Sequence, residues 1–385
     1  MFRKAIRFLS HSTVYAQSLL SNGPNYLIFF VTGRCNLRCP HCFYLNEIEN
    51  SDRKKELTLD EITKIAKQSP LLYHITFTGG ETFLRKDLDE IVKVFYRYSG
   101  TRSVTLTTNG SYPDKVGEKV EEIPESCPNL IVRVPLSLDG PQAVHDKMRG
   151  LQGTWGKALE TYESLSEIAA RYSNVKLDVT SVLTQENVNS IEDLVDYVKN
   201  NMTVDNHAIN FPRGAMQNEG KIVPAEEKYR EITQRSRDDR KRFKYRFPLL
   251  SRILIFLRDM TESVIIEVQK SNRMPFVCEA GGKLIEMNEY GELFPCEVLD
   301  TLIKDKETLL PPTFSDAWMG NVRDYDYNIE SVLSSHQAQE VSTFIENGGC
   351  ACSFECAIGA SLVFKPTNIF RIGSLKSGSI FRKTK

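Results

Sequence analysis

Residues 32–44 read TGRCNLRCPHCFY and follow directly on the apolar run YLIFFV at 26–31. The stretch places Cys35, Cys39 and Cys42 on one short loop, in a Cys-x-x-x-Cys-x-x-Cys spacing. A structural zinc ion takes four ligands in a closed tetrahedron. The fourth ligand here would be His41, but it lies between Cys39 and Cys42, where neighbouring side chains rarely converge on one ion. A redox dithiol needs only two thiols, and Cys39 and Cys42 form a Cys-x-x-Cys pair. A four-iron cluster takes one thiolate per iron, so three cysteines leave one iron open. An open metal position is the usual mark of catalysis rather than of structure.

Outward from this loop the chain alternates strand-like and helix-like segments. NYLIFFVT (25–32), HITFTG (74–79), SVTLTTNG (103–110), LIVRVPLSLDG (130–140), VKLDVTSVLT (175–184) and HAINFP (207–212) read as six strands. Between them TLDEITKIAKQ, DLDEIVKVFYRYS, WGKALETYESLSEIAARY and NSIEDLVDYVKNN read as helices, the first with Thr58 and Glu61 at capping-box spacing. This rhythm predicts parallel βαβ units with their chemistry on the loops after the strand C-termini. The cysteine loop, TGGE at 78–81, TTNG at 107–110 and SLDG at 137–140 all follow strands, and are expected to converge on one face.

Together CNLRCPHC with the adjacent Phe43, TGGETF at 78–83, LTTNG at 106–110 and SLDGPQAVHDKMRG at 137–150 resemble the radical S-adenosylmethionine (radical SAM) superfamily, over residues 26–215. The resemblance implies an α/β fold, a partial (β/α)6 TIM-like barrel open on one side. It implies a [4Fe-4S] cluster on Cys35, Cys39 and Cys42, with the amino and carboxylate groups of S-adenosylmethionine on the fourth iron. Phe43, the turn at Gly79 and Gly80, Glu81, Asn109, Ser137 and Arg149 become the cofactor-binding candidates. Glu81 is expected toward the ligand's ammonium, and Arg149, by charge, toward its carboxylate. The implied chemistry is reductive cleavage to a 5′-deoxyadenosyl radical, with a reductant such as flavodoxin or ferredoxin.

Further along, Cys278 is followed by Gly291, ELFP and Cys296, and the chain then reaches CACSFEC at 350–356. This resembles the opening of the SPASM and twitch extensions of radical SAM enzymes, which carry auxiliary iron–sulfur clusters. The later part departs from the SPASM pattern. Cys278, Cys296, Cys350, Cys352 and Cys356 suffice for one fully ligated [4Fe-4S] cluster but not two. Cys278, Cys296 and Cys356 are the favoured ligands, with Cys350 or Cys352 as the fourth. A cluster with no open iron suits electron transfer, hence a net oxidation: crosslinking of a peptide or protein, or, alternatively, dehydrogenation of a small sugar-like alcohol. The reading of another class is a non-catalytic zinc-binding scaffold, which the same thiols would build. Cys127 reads as a plain structural thiol.

The net charge of −1 supplies no field for nucleic acid or membrane partners. The longest apolar runs, such as YLIFFV and ILIF, are too short to span a bilayer. The first twenty residues lack the apolar core and cleavage site of a signal peptide and read as an amphipathic helix packed on the body. Cysteine placement points to a reducing cytoplasm. The expected division is an N-terminal segment at 1–25, the barrel at 26–215, a charged helical connector at 216–275, the auxiliary-cluster unit at 276–363 and a basic tail at 364–385. Arg213, in the loop NFPRG after the sixth strand, is the candidate for an anionic substrate group.

Overall fold

The computed structural model describes residues 2–212, 226–240 and 248–375. All six expected strands form: β1 (Tyr26–Thr32), β2 (His74–Gly79), β3 (Ser103–Leu106), β4 (Ile131–Ser137), β5 (Val175–Val182) and β6 (Asn206–Asn210). They pair in parallel and in chain order. Every residue of β1 is buried, because both of its faces are covered, with Phe29 packed on Phe77 and Phe95. In β4 buried positions alternate with half-buried ones. Val132, Val134 and Leu136 lie in the core, while Arg133 and Pro135 face the barrel interior.

The sheet does not end where the sixth helix–strand unit ends. KLIEMNEYGELFP forms β7 (Leu284–Met287) and β8 (Glu292–Phe294), an antiparallel pair turning at Gly291, whose φ is +85°. β7 then pairs in parallel with β1, and a short β9 (Gly320–Asn321) follows β8. The result is one open nine-stranded sheet in the order β6-β5-β4-β3-β2-β1-β7-β8-β9. The cysteine-bearing C-terminal segment is therefore joined to the barrel by backbone hydrogen bonds.

Two further pieces complete the barrel wall. Helix α1 (Phe2–Leu20) lies against the segments that enter the strands. Its Arg7 Nε donates to Pro128 O at 2.9 Å, and His11 Nε2 lies 2.8 Å from Asn129 O. The gap beside β6 is lined by helix Pro248–Ser271 and helix Glu355–Val363. The second of these is held at one end by Asn210 Nδ2 donating to Glu355 Oε1 (3.0 Å), and at the other by Tyr15 Oη donating to Val363 O (2.7 Å). Among the described residues, no helix is long and apolar enough to cross a membrane.

Candidate active site

The cysteine loop leaves β1 and is clamped by the turn after β2. Gly80 N donates to Thr32 O and Glu81 N to Arg34 O, both at 2.8 Å. A Cβ on Gly79 would stand 2.3 Å from Thr32 O, and one on Gly80 would stand 2.2 Å from Arg34 O. The two glycines thus admit the chain's own cysteine loop, and Gly79 also takes a φ of +126° that disfavours a side chain.

Glu81 is buried, and both its oxygens are engaged by the protein. Oε1 accepts from the Thr108 hydroxyl (2.9 Å) and Phe83 N (3.2 Å), and Oε2 accepts from Asn109 N (2.8 Å). Burial pushes its carboxyl up to about 7 against these donors. Asn109 in turn reaches the cysteine loop, with its Nδ2 donating to Asn36 Oδ1 at 3.0 Å and lying 3.8 Å from Cys35 Sγ. One chain of contacts therefore runs from the turn after β2, through the loop after β3, to the first cysteine.

On the other side, helix Gln142–Arg149 ends against Cys39. Arg149 O accepts from Cys39 Sγ at 3.9 Å, and Arg149 Nη1 lies 4.0 Å from the same sulfur. Arg149 Nη2 pairs with Asp139 Oδ2 at 2.6 Å, and Arg149 Nε is buried with no hydrogen-bond partner. Asp139 is fully buried and also accepts from Val182 N at 2.9 Å. His41 Nε2 lies 3.6 Å from Asp139 Oδ2. Burial pushes the Asp139 carboxyl up, but Arg149, His41 and His145 outweigh it and hold it below its ordinary range. Burial lowers His41 to about 4, so its ring is neutral at pH 7.

His41 is therefore turned to Asp139, and the loop offers three sulfurs. Burial, reinforced by neighbouring thiols, pushes Cys35 to about 11 and Cys42 to about 12, and burial raises Cys39 as well. Three such thiols become thiolates together only around a compensating cation, so the donor set fits an iron–sulfur cluster with a vacant corner. Among the described residues no three His, Cys, Asp or Glu side chains are grouped to hold a single metal ion.

Below the loop lies a cavity of about 620 Å³, its wall running from His41 and Phe43 to Glu355 and Cys356. Alternate residues of the barrel strands face it: Thr76 and Thr78, Thr105 and Thr107, Arg133, then Lys176, Asp178 and Thr180. The second cysteine set packs in or against the core beside this wall. Cys278, Cys296, Cys350 and Cys352 are all raised, chiefly by burial. The remaining thiols of this group add to the rise in Cys296, Cys350 and Cys352. Cys356 also lines the cavity, near Tyr26 at the start of β1, whose hydroxyl is raised by burial and by this thiol.

The model of the Radical SAM superfamily matches residues 29–198. The chain carries a radical SAM domain. The GTP 3′,8-cyclase of Clostridium perfringens (strain SM101 / Type A) is 31% identical over 180 residues, 46% of this chain and 52% of that protein. The Fe-coproporphyrin III synthase of Methanosarcina barkeri is 29% identical over 181 residues, 45% of this chain and 40% of its own. The chain thus spans about half the length of the curated relatives it matches. Two solved structures share the fold over more of the chain. Native anSMEcpe with bound AdoMet aligns at a TM-score of 0.54 and 15% identity, covering 91% of this chain and 100% of that one. Streptococcus suis SuiB bound to precursor peptide SuiA aligns at 0.51 and 15%, covering 84% and 70%.

Within the radical SAM domain, Phe43, Gly79, Gly80, Glu81, Asn109 and Arg149 all lie around the cysteine loop. Ser137, at the end of β4, is tied through its backbone N to Thr108 O at 3.0 Å. Arg213 lies outside the described residues. Sequence reasoning passed over Asp139 as loop and did not find the Arg133–Asp178 pair in the cavity wall. Charged residues at alternating strand positions were the available signal for that pair.

Proposed function

We propose that this chain is a radical SAM enzyme that carries out a net oxidation on a peptide or protein substrate seated in the barrel cavity. One observation carries the reading. A single cavity touches both cysteine-bearing regions, with His41 and Phe43 of the first loop on one wall and Glu355 and Cys356 of the last on another. When bound, a [4Fe-4S] cluster with S-adenosylmethionine supplies a radical that removes a substrate hydrogen, and a second cluster supplies an acceptor for the electron left behind.

The chain's residues then have these roles. Cys35, Cys39 and Cys42 hold the first cluster, and Asn109 orients Cys35. Arg149, already neutralised by Asp139 on one nitrogen, keeps Nε as the donor for the ligand's carboxylate. Glu81 positions the loop after β3 through Thr108 and Asn109. Phe43 and the apolar residues of the wall limit water at the reacting carbon. For the auxiliary cluster we infer the set Cys278, Cys296, Cys350 and Cys352. This departs from the sequence expectation that Cys356 is among the surest ligands, because Cys356 lines the cavity.

The peptide reading is supported by the likeness to SuiB, solved with its precursor peptide. A second reading, dehydrogenation of a small polyhydroxy alcohol, is favoured by the six threonines on the cavity wall (Thr76, Thr78, Thr105, Thr107, Thr180 and Thr261). Either reaction belongs in a reducing cytoplasm with a flavodoxin- or ferredoxin-type donor. The test is anaerobic reconstitution followed by reduction in the presence of S-adenosylmethionine. Formation of 5′-deoxyadenosine, and loss of two hydrogen masses from the substrate, is the expected result. A chain with intact clusters and no 5′-deoxyadenosine would overturn the reading.

A further inference from the structure

β7 runs parallel to β1, so the turn that follows β7 comes up beside the cysteine loop that follows β1. Glu289 sits in that turn and is 1% exposed. Its Oε2 accepts from the Tyr44 hydroxyl at 2.5 Å, the length of a strong hydrogen bond to a carboxylate, across 245 residues of chain. Its Oε1 is buried without a hydrogen-bond partner and occupies the space that a side chain on Gly33 would take. One carboxylate therefore touches both ends of the loop, at Gly33 just before Cys35 and at Tyr44 just after Cys42. The turn that carries it is itself fixed. Asn288 Oδ1 accepts from Tyr290 N and Glu292 N, both at 3.0 Å, Glu289 O accepts from Leu57 N at 2.7 Å, and Tyr290 Oη accepts from Asp52 N at 2.9 Å. On the loop side the Tyr44 ring lies on Phe30 of β1, with centroids 4.5 Å apart. A buried carboxyl with one oxygen unpaired costs stability that an apolar side chain in the same place would not. The fold bears that cost where the carboxyl joins the C-terminal turn to the cysteine loop.

We propose that Glu289 is a positioning residue for the first cluster, through which the C-terminal segment fixes the entrance and the exit of the cysteine loop. This rests on reading Cys35, Cys39 and Cys42 as the ligands of that cluster. The potential of an iron–sulfur cluster follows the hydrogen bonds to its sulfurs and their exposure to solvent. Both are set by how the loop backbone carries the cysteines. Tyr44 is joined to Cys42 through Phe43 alone, and Phe43 lines the cavity. A Tyr44 released from Glu289 is free to shift, and the Cys42 sulfur and the Phe43 ring shift with it. The C-terminal segment then acts on the first cluster through a hydrogen bond, apart from any electron it exchanges.

The test is a redox titration of the anaerobically reconstituted full chain, followed by electron paramagnetic resonance. The signal that changes on addition of S-adenosylmethionine identifies the first cluster. Glu289→Ala removes the acceptor, and Tyr44→Phe removes the donor while keeping the ring on Phe30. Both are expected to shift the midpoint potential of that signal in the same direction and to slow 5′-deoxyadenosine formation about tenfold or more. Glu289→Gln keeps an acceptor for Tyr44 and is expected to restore both readouts to near wild type. The double variant Tyr44→Phe/Glu289→Ala is expected to be no worse than the poorer single one, because the two groups act through one bond. If Glu289→Ala does not fold, Tyr44→Phe and Glu289→Gln carry the test. A lowered denaturant midpoint with potential and rate unchanged marks a merely structural role and would overturn the proposal, as would equal losses in Glu289→Ala and Glu289→Gln. The wild-type chain reports separately on the radical SAM reading, through its own 5′-deoxyadenosine and its own S-adenosylmethionine-sensitive signal.

Discussion

At the scale of single residues, the site depends on groups that never touch a ligand. Gly80 is the clearest case. A methyl group there would overlap the Arg34 carbonyl at 2.2 Å, and neither the strand end nor the cysteine loop can move without losing the paired 2.8 Å backbone bonds. Gly80→Ala is therefore expected to displace the loop and lose the first cluster. Iron in the reconstituted chain should fall from about eight to about four atoms, while far-UV circular dichroism changes little. Retention of full iron would show that the loop tolerates the displacement. Asp139 acts similarly from within the core, since it holds both Arg149 and the neutral His41. The motif residues were legible from their spacing, but their partners were not. Whether a glutamate meets a ligand or two backbone N–H groups is decided by where the next loop lies.

At the scale of elements, helix Glu355–Val363 is both a wall of the cavity and a lever on it. Gly359 lies in this helix and faces the cavity, and an added Cβ would meet nothing within 4 Å. Gly359→Ala is expected to stabilise the chain by about 0.5–1 kcal/mol through helix propensity, seen as a higher denaturant midpoint. Gly359→Phe should fill the cavity, abolishing product while 5′-deoxyadenosine still forms; unimpaired product would disconnect the cavity from the substrate.

A second element contact joins the C-terminal segment to helix Leu59–Gln68. Arg323 donates to both oxygens of Glu61 at 2.8 and 3.2 Å, alongside the Thr58 capping box. The Arg323 hydrogen bonds lower the Glu61 carboxyl from 4.5 to about 2. A carboxyl with a depressed folded value stabilises above its unfolded value and loses that contribution as pH falls through the window from 4.5 toward 2. Glu61→Gln should thus cost about 1 kcal/mol at pH 7, with the gap to wild type narrowing below about pH 4.5 in urea titrations. A gap independent of pH would show that packing, not charge, joins the two elements. The capping box itself was readable from Thr58 and Glu61 alone, whereas Arg323, which lies 262 residues from Glu61, was not.

At the scale of the whole molecule, the sheet makes one body of the barrel and the C-terminal cysteine segment, because β7 continues the sheet from β1. That packs Cys278, Cys296, Cys350 and Cys352 in or against the core shared with the barrel, and Cys356 also lines the cavity. Cys278→Ala is expected to reduce iron from about eight to about four atoms per chain and to uncouple 5′-deoxyadenosine formation from product. Cys356→Ser should keep all the iron. Loss of auxiliary iron in Cys356→Ser, with retention in Cys350→Ser or Cys352→Ser, would return Cys356 to the ligand set.

Sequence alone determined the six parallel strands, the loops that follow them and the three-cysteine loop among those loops. These are local quantities, set by alternation, capping and short-range spacing. Only the tertiary structure decided that His41 faces Asp139, that Glu81 accepts from the loop after β3, and that the C-terminal strands extend the same sheet. Each of these turns on which of several chemically suitable partners is nearest. That distance is set by the packing of segments tens to hundreds of residues apart.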